Sequence, residues 1–325
     1  MYDDGDWMRS VHRLGIVEEN TILNLKWSAS GVEFATSSER IEAVFKAEYD
    51  REDEAPYIGI LVYGERNIFE KKIKIEFGTC RYNIYENPQK ERVTVRLLKL
   101  TEEQYGKVGI VSLVADELLY PVNEGKRKIL WIGDSITAAY GVDGVNGESV
   151  FSTRDEDIRK GYAYLSSETV ESEPIIVAYS GNGIISRWIP EEQEFPNTSD
   201  LLMEIFPYDA EIKPSLIVCN LGTNDASYTR NEEKKEKRFV QQYMKFIKKL
   251  QKKFSGIPIL LIYGIMEQSL NMRVKEVAEY CNVFYFELPL QLEADGLGTD
   301  AHPGGKTHRK LSNLLSEEIK RIMAW

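Results

Sequence analysis

Four short polar clusters in this chain carry the residue types that acyl transfer needs. Gly133-Asp134-Ser135 ends the apolar run Ile129-Leu130-Trp131-Ile132 and offers a hydroxyl nucleophile at Ser135. Ser180-Gly181-Asn182 follows a second apolar run, Ile175 to Ala178, and offers the backbone N–H of Gly181. Gly222-Thr223-Asn224-Asp225 follows a third, Leu216 to Cys219, and offers the side-chain amide of Asn224. Asp300-Ala301-His302-Pro303 supplies a base, His302, with an acid two residues ahead of it. A serine hydroxyl attacks a carbonyl only when a neighbouring base takes its proton, and the resulting oxyanion needs hydrogen-bond donors aimed at it. Singly, each cluster has a plain structural reading: Asp134 or Ser135 as a helix cap, Gly, Asn and Asp as turn formers. Together they supply nucleophile, two kinds of donor and a base.

The elements that must position them follow from the spacing of apolar residues. After Lys128, short apolar runs at Ile129 to Ile132, Ile175 to Ala178, Leu216 to Cys219, Ile257 to Ile262 and Val283 to Phe286 alternate with helical patterns. That grammar predicts an α/β domain with a five-stranded parallel sheet covered on both faces. The chemistry of such sheets sits at their carboxyl edge, where three of the clusters fall; the fourth leads into the last helix, at that same edge. One predicted helix covers about Glu233 to Phe254, with Phe239, Val240, Tyr243, Phe246, Ile247, Leu250 and Phe254 on one stripe and lysines opposite; the last covers about Lys306 to Met323. Ahead of Lys128 the period is two. Ile41, Ala43, Phe45, Ala47 and Tyr49 alternate with mostly polar residues, as do Ile73, Ile75 and Phe77, then Val93, Val95 and Leu97. Turn residues at Gly64-Glu65, Gly78-Thr79 and Asn87-Pro88 separate these strands, which predicts a β-sandwich of jelly-roll type. Tyr120 to Lys128 reads as the linker, so the expected domains are 1–122 and 123–325.

Composition narrows the partners. Acidic residues outnumber basic ones by 52 to 41, which argues against a general grip on nucleic acid or an anionic membrane, and the lysine-rich helix face lacks an aromatic platform for bases. No apolar run is long enough to span a bilayer. Three scattered cysteines with no CxxC pair and an acidic start, Met1 to Asp6, without a signal segment predict a cytoplasmic protein. Gly304-Gly305-Lys306-Thr307 resembles the end of a phosphate loop, but Asp300 stands where its first glycine belongs; Gly181-Asn182-Gly183 lacks the third glycine of a dinucleotide site. The three histidines, His12, His302 and His308, have no metal-ligand spacing, and His12 and His308 read as partly exposed side chains without a task.

Taken in order, Gly133-Asp134-Ser135, Gly181, Gly222-Thr223-Asn224-Asp225 and Asp300-Ala301-His302-Pro303 resemble the four sequence blocks of the SGNH (GDSL-like) hydrolases. The resemblance implies a flavodoxin-like three-layer α/β/α domain in which Ser135 is the nucleophile, the N–H groups of Ser135 and Gly181 and the side chain of Asn224 form the oxyanion hole, and His302 is the base. With a jelly-roll domain ahead of it and Trp27-Ser28-Ala29-Ser30-Gly31-Val32-Glu33-Phe34 near the start, the chain looks more narrowly like carbohydrate esterase family two. Many SGNH enzymes place an acid three residues before the histidine, where this chain has Thr299; here Asp300 is two before. Family two is similar in this respect and includes members that work as a Ser-His dyad, with a backbone carbonyl holding the imidazole.

The resemblance implies removal of acetyl groups from an oligosaccharide or polysaccharide such as xylan, often at the sugar 6-hydroxyl, with no metal or organic cofactor. A non-catalytic carbohydrate-binding protein and a short-chain acyl esterase or thioesterase are the alternatives. Trp188 and Tyr228, each a few residues beyond an oxyanion block, are candidates for the aromatic platform that would hold a sugar.

Overall fold

Period-two patterning becomes antiparallel sheet, and continuous apolar runs become parallel sheet, in two separate parts of the molecule. The computed structural model describes residues 12–14, 17–18, 22–65, 68–122, 127–148, 150–188 and 212–325; the acidic start Met1 to Asp6 and residues 123–126 of the expected linker lie outside them. The chain divides into two units, Met1–Lys126 with Phe151–Arg159, and Arg127–Val150 with Lys160–Trp325.

The strands of the first unit are β1 (His12–Leu14), β2 (Val17–Glu18), β3 (Leu23–Leu25), β4 (Gly31–Thr36), β5 (Arg40–Glu48), β6 (Tyr57–Tyr63), β7 (Ile68–Lys74), β8 (Gly78–Glu86), β9 (Val93–Lys99), β10 (Lys107–Ala115) and β11 (Tyr120–Pro121). They form one antiparallel sheet ordered β1-β4-β9-β6-β7, with β11 on β4, and a second ordered β2-β3-β10-β5-β8. Ile41, Ala43, Phe45 and Ala47 of β5 face Val93, Val95 and Leu97 of β9 across one shared core. Full burial of side chains such as Phe45 contributes about 1.5–3 kcal/mol each relative to exposure. One expected strand is shorter than its alternation implied. β7 ends at Lys74, Ile75 is buried beyond it, and Phe77 is exposed, because the chain turns at Gly78, whose φ is 86°. The segment Phe151–Arg159 joins this unit through ordinary polar contacts: the Thr153 hydroxyl donates to the Ala55 carbonyl at 2.6 Å, Lys72 Nζ to the Glu156 carbonyl at 2.6 Å, and the Ile158 N–H to the Leu100 carbonyl at 3.3 Å.

The second unit runs β12 (Lys128–Gly133), α1 (Ser135–Ala138), α2 (Tyr162–Thr169), β13 (Glu173–Ala178), β14 (Leu216–Asn220), α3 (Thr223–Thr229), α4 (Glu233–Lys253), β15 (Ile259–Tyr263), α5 (Asn271–Cys281), β16 (Phe284–Glu287) and α6 (Gly305–Met323). Its five strands are parallel in the order β13-β12-β14-β15-β16, the flavodoxin-like order. β12 to β15 are buried almost throughout, as expected for strands covered on both faces. Right-handed crossovers that leave β12 and β14 in opposite directions put their helices on opposite faces. α2 packs with α6, and α4 packs with α5, giving three layers. The stripe Phe239, Val240, Tyr243, Phe246, Ile247 and Leu250 is the buried side of α4, with acidic residues in its first turn and Lys252 and Lys253 in its last, the arrangement the helix dipole favours. The order in which strands are added reverses about β12, so the turns after β12 and β14 flank the point where such sheets open a crevice.

Candidate active site

Gly133, Asp134 and Ser135 form the turn between β12 and α1, and the turn separates the two roles that the sequence left open. Asp134 is the helix cap, its Oδ1 accepting the Ile136 N–H at 3.1 Å. Ser135 is therefore released from capping. Its Oγ lies 2.8 Å from Nε2 of His302, which stands on the loop before α6. Both residues belong to the second unit.

The other ring nitrogen of His302, Nδ1, faces the main-chain carbonyl of Asp300 at 3.2 Å. A carbonyl only accepts, so Nδ1 carries the proton and Nε2 presents its lone pair to the serine hydroxyl. The Asp300 carboxylate points elsewhere: its Oδ2 accepts from the Tyr140 hydroxyl at 2.9 Å. Asp300 as the carboxylate third member of a triad is thus not what this geometry presents, because a left-handed backbone at Asp300 (φ 53°) turns its carbonyl, and not its side chain, onto the ring. Burial lowers the His302 pKa below its ordinary 6.5, and the carbonyls of Asp300 and Thr299 and the Asp300 charge offset this only in part. The imidazole is accordingly neutral and basic at neutral pH.

Asn224, at the start of α3, is buried and ties two of the expected oxyanion turns together. Its Nδ2 donates to the Asn182 carbonyl at 2.9 Å and, more loosely, to Asp134 Oδ2 at 3.3 Å. Gly181 precedes Asn182 in a turn with φ +83° and open space where a side chain would stand. Trp188 is linked to this turn, its N–H donating to the Gly181 carbonyl at 2.6 Å, and its indole is 63% exposed. Tyr228 is differently placed: the Lys235 ammonium sits 4.5 Å from its ring centroid, so one face already has a cation on it.

Two positioning features escaped the sequence reading. Asp225, wholly buried, accepts the N–H groups of Ile184 (2.7 Å), Ile185 (2.7 Å) and Ser186 (3.2 Å), which fastens the loop after β13 to the start of α3. Burial pushes its pKa up to about 7 against the pull of those amides. A Cβ at Gly183 would come within 2.3 Å of Asp225 Oδ2, so the loop can close on the carboxylate only with glycine there. The Asp in Gly222-Thr223-Asn224-Asp225 was the available signal, masked by its commonness in turns. The second is His308, expected to be partly exposed but fully buried: its Nδ1 accepts the Tyr162 N–H at 3.1 Å and its ring stacks on Tyr162, because α6 turns that face onto α2. The phosphate-loop likeness at the start of α6 resolves into an ion pair, Lys306 Nζ to Asp295 Oδ1 at 3.0 Å.

The chain is similar to known proteins in sequence and in fold. The cellulase/esterase CelE of Acetivibrio thermocellus is 29% identical over 252 residues, which is 70% of this chain and 30% of CelE, so the chain spans under a third of that protein's length. An acetylxylan esterase / glucomannan deacetylase of Cellvibrio japonicus is 24% identical over 272 residues, 78% of this chain and 74% of that protein. Among solved structures, a family two carbohydrate esterase from Clostridium thermocellum in complex with cellohexaose is alike in fold, with TM-score 0.86 at 23% identity over 97% of this chain and 99% of that one. An acetyl xylan esterase from the rumen bacterium Butyrivibrio proteoclasticus has TM-score 0.84 at 18% identity over 100% and 97%. The profile of the GDSL-like lipase/acylhydrolase family matches residues 131–310, more than half of the chain and inclusive of Ser135, Gly181, Asn224 and His302. The chain belongs to the GDSL-like lipase/acylhydrolase family.

Proposed function

We propose that this protein is a serine esterase that removes O-acetyl groups from carbohydrates, acting on an acetylated oligosaccharide or polysaccharide. The observation that carries the reading is the 2.8 Å contact between Ser135 Oγ and a His302 Nε2 whose lone pair is set by the Asp300 carbonyl. Relatives named acetylxylan esterase and a family two carbohydrate esterase fold support the choice of substrate class.

In this reading Ser135 Oγ attacks the ester carbonyl as His302 takes its proton. The oxyanion is held by the N–H groups of Ser135 and Gly181 and by Asn224, whose loose 3.3 Å bond to Asp134 is exchanged for a shorter one to the oxyanion. The imidazolium of His302 then gives that proton to the sugar oxygen as its bond to the acyl carbon breaks, so the sugar leaves as the free hydroxyl, and water activated by the same imidazole releases acetate from Ser135. An acetyl group offers little apolar area, so affinity comes from the sugar, and Trp188, tied to the Gly181 turn, offers it an exposed aromatic surface.

The test is hydrolysis of p-nitrophenyl acetate and release of acetate from acetylated xylo-oligosaccharides, followed by NMR, with wild type and Ser135→Ala. Turnover by the wild type alone is expected. Sugar binding without turnover by either protein would favour a non-catalytic carbohydrate-binding role, and turnover of aryl acetate without sugar acetate a general short-chain esterase.

A further inference from the structure

The carbonyl that orients His302 belongs to a turn that would not hold itself. Asp300 and Ala301 are consecutive non-glycine residues with φ of 53° and 57°, in the left-handed region that any Cβ disfavours. A backbone in that region persists only where its surroundings over-determine it. Three side chains from outside the turn do so. The Tyr140 hydroxyl donates to Asp300 Oδ2 at 2.9 Å, Asn146 Oδ1 accepts the Ala301 N–H at 2.9 Å, and Gln291 Nε2 donates to the Ala301 carbonyl at 2.8 Å. Tyr140 also lies against the imidazole, ring centroids 4.5 Å apart. Around them the main chain is stitched to the same neighbours, Thr299 N–H to the Gly141 carbonyl at 3.0 Å and Asn146 N–H to the Leu297 carbonyl at 3.2 Å.

Resting on the esterase reading above, we propose that Tyr140, Asn146 and Gln291 are positioning residues for the His302 base. They hold Asp300 and Ala301 left-handed, so that a main-chain carbonyl faces Nδ1. Tyr140 and Asn146 follow Ser135 within one continuous segment, so the chain that presents the nucleophile also fixes the turn that aims its base. The chemistry demanded at the two amides is opposite. Asn146 must accept, a task a carboxylate can perform; Gln291 must donate, a task a carboxylate cannot perform.

That polarity supplies the experiment. Asn146→Ala, Asn146→Asp, Gln291→Ala, Gln291→Glu and Tyr140→Phe are compared with wild type in p-nitrophenyl acetate kinetics across pH, thermal melting, and the ¹⁵N spectrum of the histidine rings. With only three histidines in the chain, that spectrum resolves the His302 tautomer. Asn146→Ala and Gln291→Ala are expected to lower kcat roughly 10–100-fold with KM nearly unchanged, the pattern of a misaligned reacting group. The acid limb should move to lower pH, since the carbonyl that supports the imidazolium is withdrawn, and the pure Nδ1–H tautomer should give way to a mixture. Asn146→Asp should recover activity and tautomer; Gln291→Glu should not. The titratable groups facing the imidazole, Asp300 on its own turn, His308 on α6 and Tyr140 beside it, are left unchanged in the four amide variants. Wild-type kcat and tautomer in both alanine variants would overturn the proposal, as would losses that track melting temperature while the tautomer stays pure. If the wild type hydrolyses no ester, the esterase reading fails, while the tautomer comparison still decides whether these residues position the ring.

Discussion

At the scale of single residues, the base is tuned by what it lacks. A carboxylate behind the imidazole would stabilise the imidazolium; a neutral carbonyl does so less, and burial lowers the His302 pKa further. The base is active when neutral, so kcat/KM should rise through an apparent pKa below 6.5 and be level at neutral pH, as a pH–rate profile would record. An acid limb centred above 6.5 would mean that a carboxylate reaches the ring in solution. Asp300→Asn is the companion test. The amide oxygen still accepts from Tyr140 and the main-chain carbonyl is untouched, so the loss should stay within about fivefold, the equivalent of one ordinary hydrogen bond. A true triad acid would lose roughly 10⁴-fold on the same change. Ser135→Ala, by contrast, should remove turnover by roughly 10⁶-fold.

At the scale of elements, the loop after β13 is held to α3 by the three amides on Asp225, and with it the Gly181–Asn182 turn. Asp225→Ala leaves three buried N–H groups unsatisfied, so it should cost about 3 kcal/mol or more in urea unfolding, and should lower turnover by displacing the Asn182 carbonyl from Asn224. A variant with wild-type stability would show that water replaces the carboxylate. What was legible beforehand divides along the same lines. β12 and β14 announced themselves because strands buried on both faces are apolar without interruption, and the polar turns at their ends stood out against that background. α4 was legible because its stripe is long and its other face charged. β8 was not, since its alternation runs between half-exposed and exposed side chains and buries only Ile84. That a main-chain carbonyl could hold the imidazole came from the family resemblance, but not which one: every residue has a carbonyl, and only the backbone angle decides which is used.

At the scale of the whole molecule, the first unit buries charge in a way that couples its stability to pH. Glu156, from Phe151–Arg159, and Glu102 are both fully buried, with the Glu102 N–H donating to Glu156 Oε2 at 3.1 Å. Burial first, then the Glu102 carboxylate, raises the Glu156 pKa well above 4.5. A raised carboxyl pKa contributes stability that is complete below the unfolded value and is lost as pH rises through the folded one. Glu156→Gln should therefore match wild type near pH 4.5 and become the more stable protein as pH rises, in calorimetry between pH 4 and 9. A difference that does not vary with pH would refute this. Lys99, also fully buried and with its pKa pushed down to about 8, has the opposite sign: its contribution grows as pH rises above 8.

The path of Phe151–Arg159 has a consequence for inheritance. Because the chain leaves the second unit after Val150, supplies nine residues to the first, and returns at Lys160, the two units are interleaved along the gene. A recombination breakpoint between codons 126 and 127 would deliver a hydrolase unit carrying Glu156, Asp157 and Ile158 without the strands that bury them, and a sandwich missing a piece of its own interior. Transfer of this architecture between genomes is expected to move both units together, with variation in the sandwich and in residues 151–159 arising jointly.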